Sequence, residues 1–163
     1  MATGFLVLIL FLKLKSVPIY KTLNILTPSF CLAHILGRIG CFLAGCCFGA
    51  PTNLPTGILF PEDSLVQKHF GQAIHVHPTQ LYESFFILIV FLLVRQNRIK
   101  DKFVFYVISY SLFRFTIEFI RADNRGTIFD QSLLSPSQLL SLIVISVTIA
   151  LIYINKTKII NYT

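Results

Sequence analysis

The sequence is poor in charge, and poorest in acidic side chains. Asp, Glu, Lys and Arg make up only 13% of its 163 residues, about half of the share in a typical soluble domain. It has 7 acidic residues against 14 Lys and Arg, a single Met and no Trp. This composition excludes a soluble domain of ordinary make-up. It also excludes intrinsic disorder, which requires low hydrophobicity together with high net charge.

What the chain has instead is apolar surface. Apolar residues make up 55% of the sequence, and the mean hydropathy is +0.74. A membrane-spanning helix needs about 20 residues, so a chain of this length holds four or five spans with short loops. We therefore predict an all-α, polytopic integral membrane bundle that forms one membrane-embedded domain over residues 1–163. The cations punctuate apolar runs rather than forming a polar patch, which excludes a nucleic-acid partner.

Five apolar runs are candidate spans: residues 4–12, 26–48, 81–94, 103–120 and 133–154. The first is short, because about nine residues cover only half of a hydrocarbon core roughly 30 Å thick. The polar stretch 49–80 contains four of the seven Pro residues and is expected to be a loop on one membrane face. Gly49, followed by Pro51, predicts the end of the second helix. Ser135, Pro136 and Gln138 form a capping signature at the start of the fifth helix.

The distribution of cations predicts the orientation in the membrane. Residues 13–21, 95–102 and 156–158 together carry nine Lys and Arg, whereas the alternate loops carry three, Lys68, Arg121 and Arg125. The positive-inside rule then places the loop 49–80 and the turn 121–132 outside. The C-terminus is expected inside and Met1 outside.

Two further cations, Arg38 and Arg114, lie within apolar runs. A guanidinium near the centre of a span costs about 2.5 to 3.5 kcal/mol on insertion scales, so each should face the bundle interior and have a partner. Glu118 follows Arg114 by four residues and Arg121 follows Glu118 by three, which predicts that all three share one helical face. Such a face is either an internal ion pair that fixes helix packing or a site for an anionic headgroup, whose phosphate oxygens match an Arg fork.

The segment from His77 to Glu83 stands at the entrance of the third span. Gln80, Tyr82 and Glu83 would place hydrogen-bonding groups at the outer interface. Tyr82 has the alternative role of an interfacial anchor, a common use of tyrosine. His77 is either an ordinary loop histidine or a group that transfers a proton.

The four cysteines, Cys31, Cys41, Cys46 and Cys47, contain no C-x-x-C pair and define no disulfide framework. They are most simply small apolar fillers. A metal or redox cluster would need ligands that converge. We predict no metal site and no cofactor.

Four separated segments resemble, in the same order, the signature segments of the prolipoprotein diacylglyceryl transferase family. They are GRIGCFLAGCCFG, HPTQLYES, SLFRFTIEFIRADNRG and LSPSQLLS, and the resemblance covers roughly residues 20–155. It implies a helical protein of the bacterial cytoplasmic (inner) membrane with its site toward the outer face. It also implies transfer of diacylglyceryl from phosphatidylglycerol to the lipobox Cys thiol of a preprolipoprotein, which releases glycerol phosphate in the first step of lipoprotein maturation.

The resemblance also implies roles for individual residues. We assign catalytic roles to Arg114, Glu118 and His77, and phosphatidylglycerol binding to Arg38, Arg114, Arg121, Gly49, Gln80 and Tyr82. Arg38 and Arg114 would hold the phosphate, and Glu118 would orient an Arg. The nucleophile would be the thiolate of the substrate, so no Cys of the chain needs to be catalytic.

The chain departs from the family pattern at two places. The common signature has Asn, Asn and Glu where this sequence has Cys41, Ala44 and Cys46. The family's early spans, which carry a His-Gly-Gly segment associated with proton abstraction, have no counterpart, so we expect an N-terminally truncated member. Two alternatives stay open: a catalytically impaired remnant that binds anionic phospholipid, and a small transporter, which the lack of inverted repeats disfavours.

Overall fold

The computed structural model describes residues 2–96, 98–122 and 134–160. The helices of these parts are α1 Ala2–Leu14, α2 Ile19–Leu43, α3 Leu65–Phe70, α4 Thr79–Arg95, α5 Lys102–Ile117 and α6 Pro136–Ile160. A 3-10 turn, Glu118–Ile120, continues α5, and two short strands are β1 Ile58–Leu59 and β2 His75–Val76. Most of the predicted turn 121–132, including Arg125, lies outside the described residues.

Among the described residues, three segments are long and apolar enough to cross a membrane: Ile19–Leu43, Lys102–Ile120 and Pro136–Ile154. The other two predicted runs form shorter helices. Helix α4 has 17 residues, which is at the lower end of the spanning range. Helix α1 has 13 residues, as the short first run predicts. The prediction of a helical membrane bundle is confirmed.

Helix α2 is displaced along the sequence from the run that predicted it. It begins at Ile19 rather than near residue 26, and Asn24 in its second turn accepts a hydrogen bond from the Phe103 backbone N–H at 2.9 Å. It ends at Leu43, because Gly45 adopts the left-handed conformation with φ 64°. The expected helix end at Gly49 is therefore wrong: the glycine that stops the helix is Gly45.

In the described parts of the chain, helices α2 and α4 pack through an apolar cluster, and many large apolar side chains on other helix faces are exposed. Cys31 of α2 lies in the core with Ile87, Val90 and Val94 of α4. Large apolar side chains on the other faces are exposed, for example Leu36, Phe85, Leu112 and Tyr153. Exposed apolar faces of this extent suit contact with lipid rather than water.

The stretch between α2 and α4 is more ordered than a simple loop. Strands β1 and β2 pair antiparallel, with Ile58 opposite Val76, and a second core cluster contains Phe48, Phe60, Val66 and Val76. Further backbone bridges join Pro51 to Val76 and Gly49 to Arg121. The chain around Gly49 is thus held between the start of α4 and the end of α5, which positions Arg121.

Candidate functional site

Five charged side chains form a continuous buried cluster where α2 and α5 end and α4 begins. We call it the Arg–Glu network; its members are Arg38, Glu83, Arg114, Glu118 and Arg121. Arg38 Nη2 lies 2.9 Å from Glu83 Oε2, and Arg121 Nη1 lies 3.0 Å from Glu83 Oε1. Arg121 Nε also lies 3.9 Å from Glu118 Oε2, which in turn is 2.6 Å from Arg114 Nη1. Three guanidinium groups are thereby linked through two carboxylates.

Glu83 is the centre of this network, and its side chain has no exposed surface. Each of its two oxygens accepts an ion pair, and the Tyr110 hydroxyl donates to Oε2 at 3.2 Å. A buried carboxylate is tolerated only with partners of this kind. From the sequence, Glu83 is expected at the outer interface without a role in the site. Its position near the start of an apolar helix, close to Thr79, Gln80 and Tyr82, is the sequence signal for such a role.

The Arg38 guanidinium makes its contacts through one nitrogen in the described residues. Its Nη2 donates to the Tyr110 hydroxyl at 3.2 Å as well as pairing with Glu83. Within the described residues, its Nε and Nη1 have no hydrogen-bond or ion-pair partner, and 15% of the side chain is exposed. Two neighbouring N–H donors on one Arg match two oxygens of a phosphate.

Arg114 and Glu118 form the predicted i,i+4 pair, and the i,i+3 pair of Glu118 with Arg121 is also present. Helix α6 supports both members of the first pair. Arg114 Nη2 donates to Ser137 Oγ at 3.1 Å, and Ser135 Oγ donates to Glu118 Oε1 at 2.8 Å. The predicted proximity of the three charges is confirmed, although Arg121 follows the 3-10 turn with an extended backbone and does not lie on the helix itself.

Ser135 has a second role as the N-cap of α6. The Gln138 backbone N–H donates to Ser135 Oγ at 3.2 Å, and the Ser135 backbone N–H donates to Gln138 Oε1 at 2.9 Å. These two bonds are the reciprocal capping box that the sequence predicted. The start of α6 is therefore fixed beside Glu118.

A cavity of about 310 Å³ opens between α5 and α6 beside Arg114. Its polar lining consists of Tyr106, Tyr110, Ser111, Arg114, Ser137 and Ser141. Val107, Leu140 and Val144 supply the apolar wall. A cavity of this volume, with one cation among hydroxyl groups and aliphatic side chains, suits a small amphipathic group.

The His77 side chain forms a pair separate from the network. Its Nδ1 lies 3.2 Å from the Tyr82 hydroxyl, which itself donates to Thr56 Oγ1 at 3.2 Å. Among the described residues, His77 makes no hydrogen bond to the Arg–Glu network. The structure thus brings Arg38, Arg114, Glu118 and Arg121 together and sets His77 and Tyr82 beside them.

Gln80 is fully buried at the start of α4. Its Nε2 donates to the Cys46 backbone carbonyl. Its Oε1 has no hydrogen-bond partner within the described parts of the chain. A buried unpaired acceptor is uncommon and costly, so a ligand that donates to it would be favoured.

Gly49 is required by a close approach of three segments. A Cβ at this position would lie 2.7 Å from His77 Cβ and 2.8 Å from both the Ile120 carbonyl and Thr79 Cγ2. The Gly49 backbone N–H also donates to the His77 carbonyl at 2.9 Å. The structural reason for glycine here is packing, which brings the segment of His77 next to Arg121.

The cysteines divide into two groups. Cys31 is buried in the core between α2 and α4, whereas Cys41, Cys46 and Cys47 are half-buried near the end of α2. Burial, with the neighbouring Cys47 and Cys41 thiols, raises the pKa of the Cys46 thiol to about 12. This thiol is protonated at neutral pH, so it is not an activated nucleophile.

Apolar helices of spanning length, around a buried cluster of guanidinium groups and carboxylates, define a polytopic membrane protein with a charged interior site. Residues 1–154 match the family model described as prolipoprotein diacylglyceryl transferase, and the chain belongs to this family of bacterial membrane proteins. The resemblance of its four sequence segments to that family is confirmed.

The curated relatives carry the corresponding name. The chain is 41% identical over 154 residues to the phosphatidylglycerol–prolipoprotein diacylglyceryl transferase of Clostridium tetani. The matched region covers 91% of this chain and 59% of that relative. It is 42% identical over 140 residues to transferase 2 of Clostridium perfringens, with 83% and 52% covered. It is 32% identical over 166 residues to the Lactobacillus acidophilus protein of the same name, and the matched region covers 96% of this chain and 58% of that relative. The chain thus spans somewhat more than half the length of these relatives.

Proposed function

We propose that this chain carries the lipid-binding and transfer site of a phosphatidylglycerol–prolipoprotein diacylglyceryl transferase. The observation that carries the proposal is the Arg–Glu network, in which three guanidinium groups and two carboxylates lie together at one end of an apolar bundle. These five side chains have a formal charge of +1, which complements one phosphodiester. The names of the relatives supply the substrate classes, phosphatidylglycerol and a prolipoprotein.

Arg38 and Arg114 are the proposed phosphate ligands. The Nε and Nη1 groups of Arg38 face no protein acceptor in the described residues, and Arg114 lines the cavity between α5 and α6. Tyr110 connects the two, because it hydrogen-bonds Arg38 and lies one helical turn before Arg114. One headgroup held between α2 and α5 is consistent with these contacts.

The other residues assigned to the site from the sequence shape the headgroup site in this proposal. The unpaired Oε1 of Gln80 is an acceptor for a glycerol hydroxyl, and Arg121 holds Glu83 in place opposite Arg38. Gly49 and Tyr82 set the position of the segment around His77. Their contribution to phosphatidylglycerol binding is therefore positional, except for the direct hydrogen bond assigned to Gln80.

The proposed reaction is a displacement at the carbon of the diacylglyceryl group that is bonded to a phosphate oxygen. The lipobox thiolate forms the carbon–sulfur bond as the carbon–oxygen bond breaks, and the electron pair leaves with glycerol phosphate. Arg38 and Arg114 stabilise the charge that develops on the departing phosphate. Glu118 keeps Arg114 oriented through their 2.6 Å contact. The thiol proton goes to a base, for which His77 is the proposed group in this chain.

The predicted membrane arrangement belongs to the same proposal. The protein lies in the bacterial inner membrane as one domain, with the network toward the outer face and the C-terminus in the cytoplasm. The excess of Lys and Arg in residues 13–21, 95–102 and 156–158 supports this orientation.

A second candidate function is phospholipid binding without transfer. The position of His77 favours it, because the imidazole is engaged with Tyr82 rather than with the Arg–Glu network. This candidate keeps the roles of Arg38 and Arg114 in lipid binding and removes only the transfer step.

One assay separates the two candidates. The full chain is reconstituted in phosphatidylglycerol nanodiscs with a lipobox peptide, and peptide mass is followed by mass spectrometry. A mass gain of one diacylglyceryl group, absent for a peptide with Ser in place of the lipobox Cys, is the result expected of a transferase. Bound phosphatidylglycerol with an unmodified peptide supports lipid binding alone. Failure of both readouts contradicts both candidates.

A further inference from the structure

We propose that Cys41, Cys46 and Cys47 form a binding site for a thiophilic d10 metal ion, Zn²⁺ or Cu⁺. The three Sγ atoms lie within 4.8 Å of one another. This inference is independent of the proposed transfer activity. The sequence predicts that these residues are apolar fillers, because their spacing gives no sign that they converge.

The convergence is produced by the way α2 ends. Gly45 adopts φ 64°, its N–H donates to the Phe42 carbonyl at 3.0 Å, and the Cys46 N–H donates to the Cys41 carbonyl at 3.1 Å. This pair of bonds is a Schellman motif, which folds the residue after the glycine back onto the last helical turn. It places Cys46 beside Cys41, whose carbonyl the Cys46 thiol also contacts at 3.5 Å.

A second left-handed residue adds the third thiol. Cys47 has φ 63°, a conformation that a residue with a Cβ adopts rarely and at a cost of about 1 kcal/mol or more. The surrounding contacts hold it there, because the Cys46 and Cys47 carbonyls accept hydrogen bonds from Gln80 Nε2 and Thr79 Oγ1. Both donors are fully buried at the start of α4, so the turn that carries the thiols is fixed before any metal arrives.

The geometry needs only small side-chain rotations to accept a metal. With a Zn–S bond of about 2.3 Å, the sulfur atoms of tetrahedral ligands are about 3.8 Å apart. Because the three Sγ atoms lie within 4.8 Å of one another, the two most distant ones would have to approach by no more than roughly 1 Å. All three cysteines are half-buried, which leaves a route for an ion from solvent. Soft thiolate ligands select Zn²⁺ and Cu⁺ over hard cations such as Mg²⁺ and Ca²⁺.

The charges around the three cysteines also favour the metal-bound state. Binding Zn²⁺ releases three thiol protons and leaves a centre of formal charge −1 with one further coordination position for water. Arg38 and Cys47 interact electrostatically, so the Arg38 cation would offset part of this negative charge. The metal site and the Arg–Glu network would then be neighbours that share Arg38.

Direct metal binding tests the proposal. Full-length protein purified in detergent under reducing conditions is stripped with chelator, titrated with Zn²⁺ or Cu⁺, and analysed for bound metal by mass spectrometry. Co²⁺ substitution gives an independent readout, because thiolate ligation produces a charge-transfer absorption. We expect one metal ion per chain, and a loss of more than about 100-fold in affinity when Cys41, Cys46 or Cys47 is replaced by Ser.

Cys31→Ala is the matched control, because Cys31 lies in the same helix as Cys41 but in the apolar core. It should bind metal as the wild type does, and unfolding curves of all four variants check that the fold is retained. No uptake by the reduced wild-type protein overturns the proposal. Equal affinity in wild type and the three Ser variants overturns it too, as does metal loss in the Cys31→Ala variant alone.

Discussion

Arg121 and Glu83 stand 38 positions apart in the sequence, yet Arg121 Nη1 lies 3.0 Å from Glu83 Oε1 and neither side chain is more than 2% exposed. The contact joins the end of α5 to the start of α4. Its backbone support is the bridge between Arg121 and Gly49. The site is therefore assembled by tertiary packing and is not a property of any single helix.

Replacing Glu83 with Gln should destabilise the protein strongly. The substitution keeps the shape of the side chain but leaves Arg38 and Arg121 without their shared carboxylate. Breaking one side of a buried ion pair costs about 3 to 5 kcal/mol. Denaturant unfolding in detergent measures this loss. The control is Glu62→Gln, since Glu62 is exposed, and an equal effect of the two substitutions would contradict the central role of Glu83.

Gly49→Ala should destabilise through overpacking. The new methyl group would lie 2.7 Å from His77 Cβ and 2.8 Å from the Ile120 carbonyl, and forced packing of this kind costs about 1 to 3 kcal/mol. The matched control is Gly40→Ala, because a Cβ on Gly40 meets no atom within 4 Å. Gly40→Ala should leave the unfolding free energy unchanged or raise it by up to about 1 kcal/mol. Thermal unfolding of both variants decides the point, and a stable Gly49→Ala variant would refute the packing argument.

Ser135→Ala should lower both stability and transfer activity. It removes the N-cap of α6, worth about 1 kcal/mol, and also the hydrogen bond to Glu118 Oε1. Ser64→Ala is a matched control, because Ser64 caps α3 through the Gln67 N–H away from the network. We expect both variants to lose similar stability and only Ser135→Ala to lose transfer in the peptide assay. Equal activity of the two variants would show that the Ser135–Glu118 contact is dispensable.

Arg38→Lys should weaken phosphatidylglycerol binding even though the charge is kept. Lysine supplies a compact ammonium instead of a planar fork with two neighbouring donors. Loss of one charge-assisted hydrogen bond corresponds to about 1.5 to 3 kcal/mol, or roughly ten- to hundredfold in affinity. Lipid affinity measured in nanodiscs of varied phosphatidylglycerol content checks this, and full rescue by Lys would contradict a bidentate contact.

The sequence predicted the parts of the fold that depend on local composition. Apolar runs located α4, α5 and α6 within a few residues, and the i,i+4 spacing of Arg114 and Glu118 predicted their ion pair. The start of α2 was misplaced because Lys21 and Asn24 lower the local hydropathy without ending the helix. The small strands β1 and β2 were not predicted, since two residues carry no detectable periodicity.

The rest of the site depends on contacts between distant segments. Glu83 lies 45 positions after Arg38, so no helical spacing connects them, and only the packing of α2 on α4 brings them together. The cysteine cluster depends on the left-handed backbone at Gly45 and Cys47. A glycine at the end of a helix is a recognisable signal for the left-handed conformation of Gly45. Nothing in the sequence indicates that Cys47 also adopts a left-handed conformation.

The most direct test of the Arg–Glu network as an anionic headgroup site is the lipid preference of matched charge variants. Binding of phosphatidylglycerol and of zwitterionic phosphatidylcholine is measured by native mass spectrometry for wild type, Arg38→Gln, Arg114→Gln and the control Arg95→Gln, whose cation is exposed at the far end of α4. We expect wild type and Arg95→Gln to prefer phosphatidylglycerol, and Arg38→Gln and Arg114→Gln to lose this preference by at least about tenfold. An unchanged preference in both Arg38→Gln and Arg114→Gln would contradict this expectation.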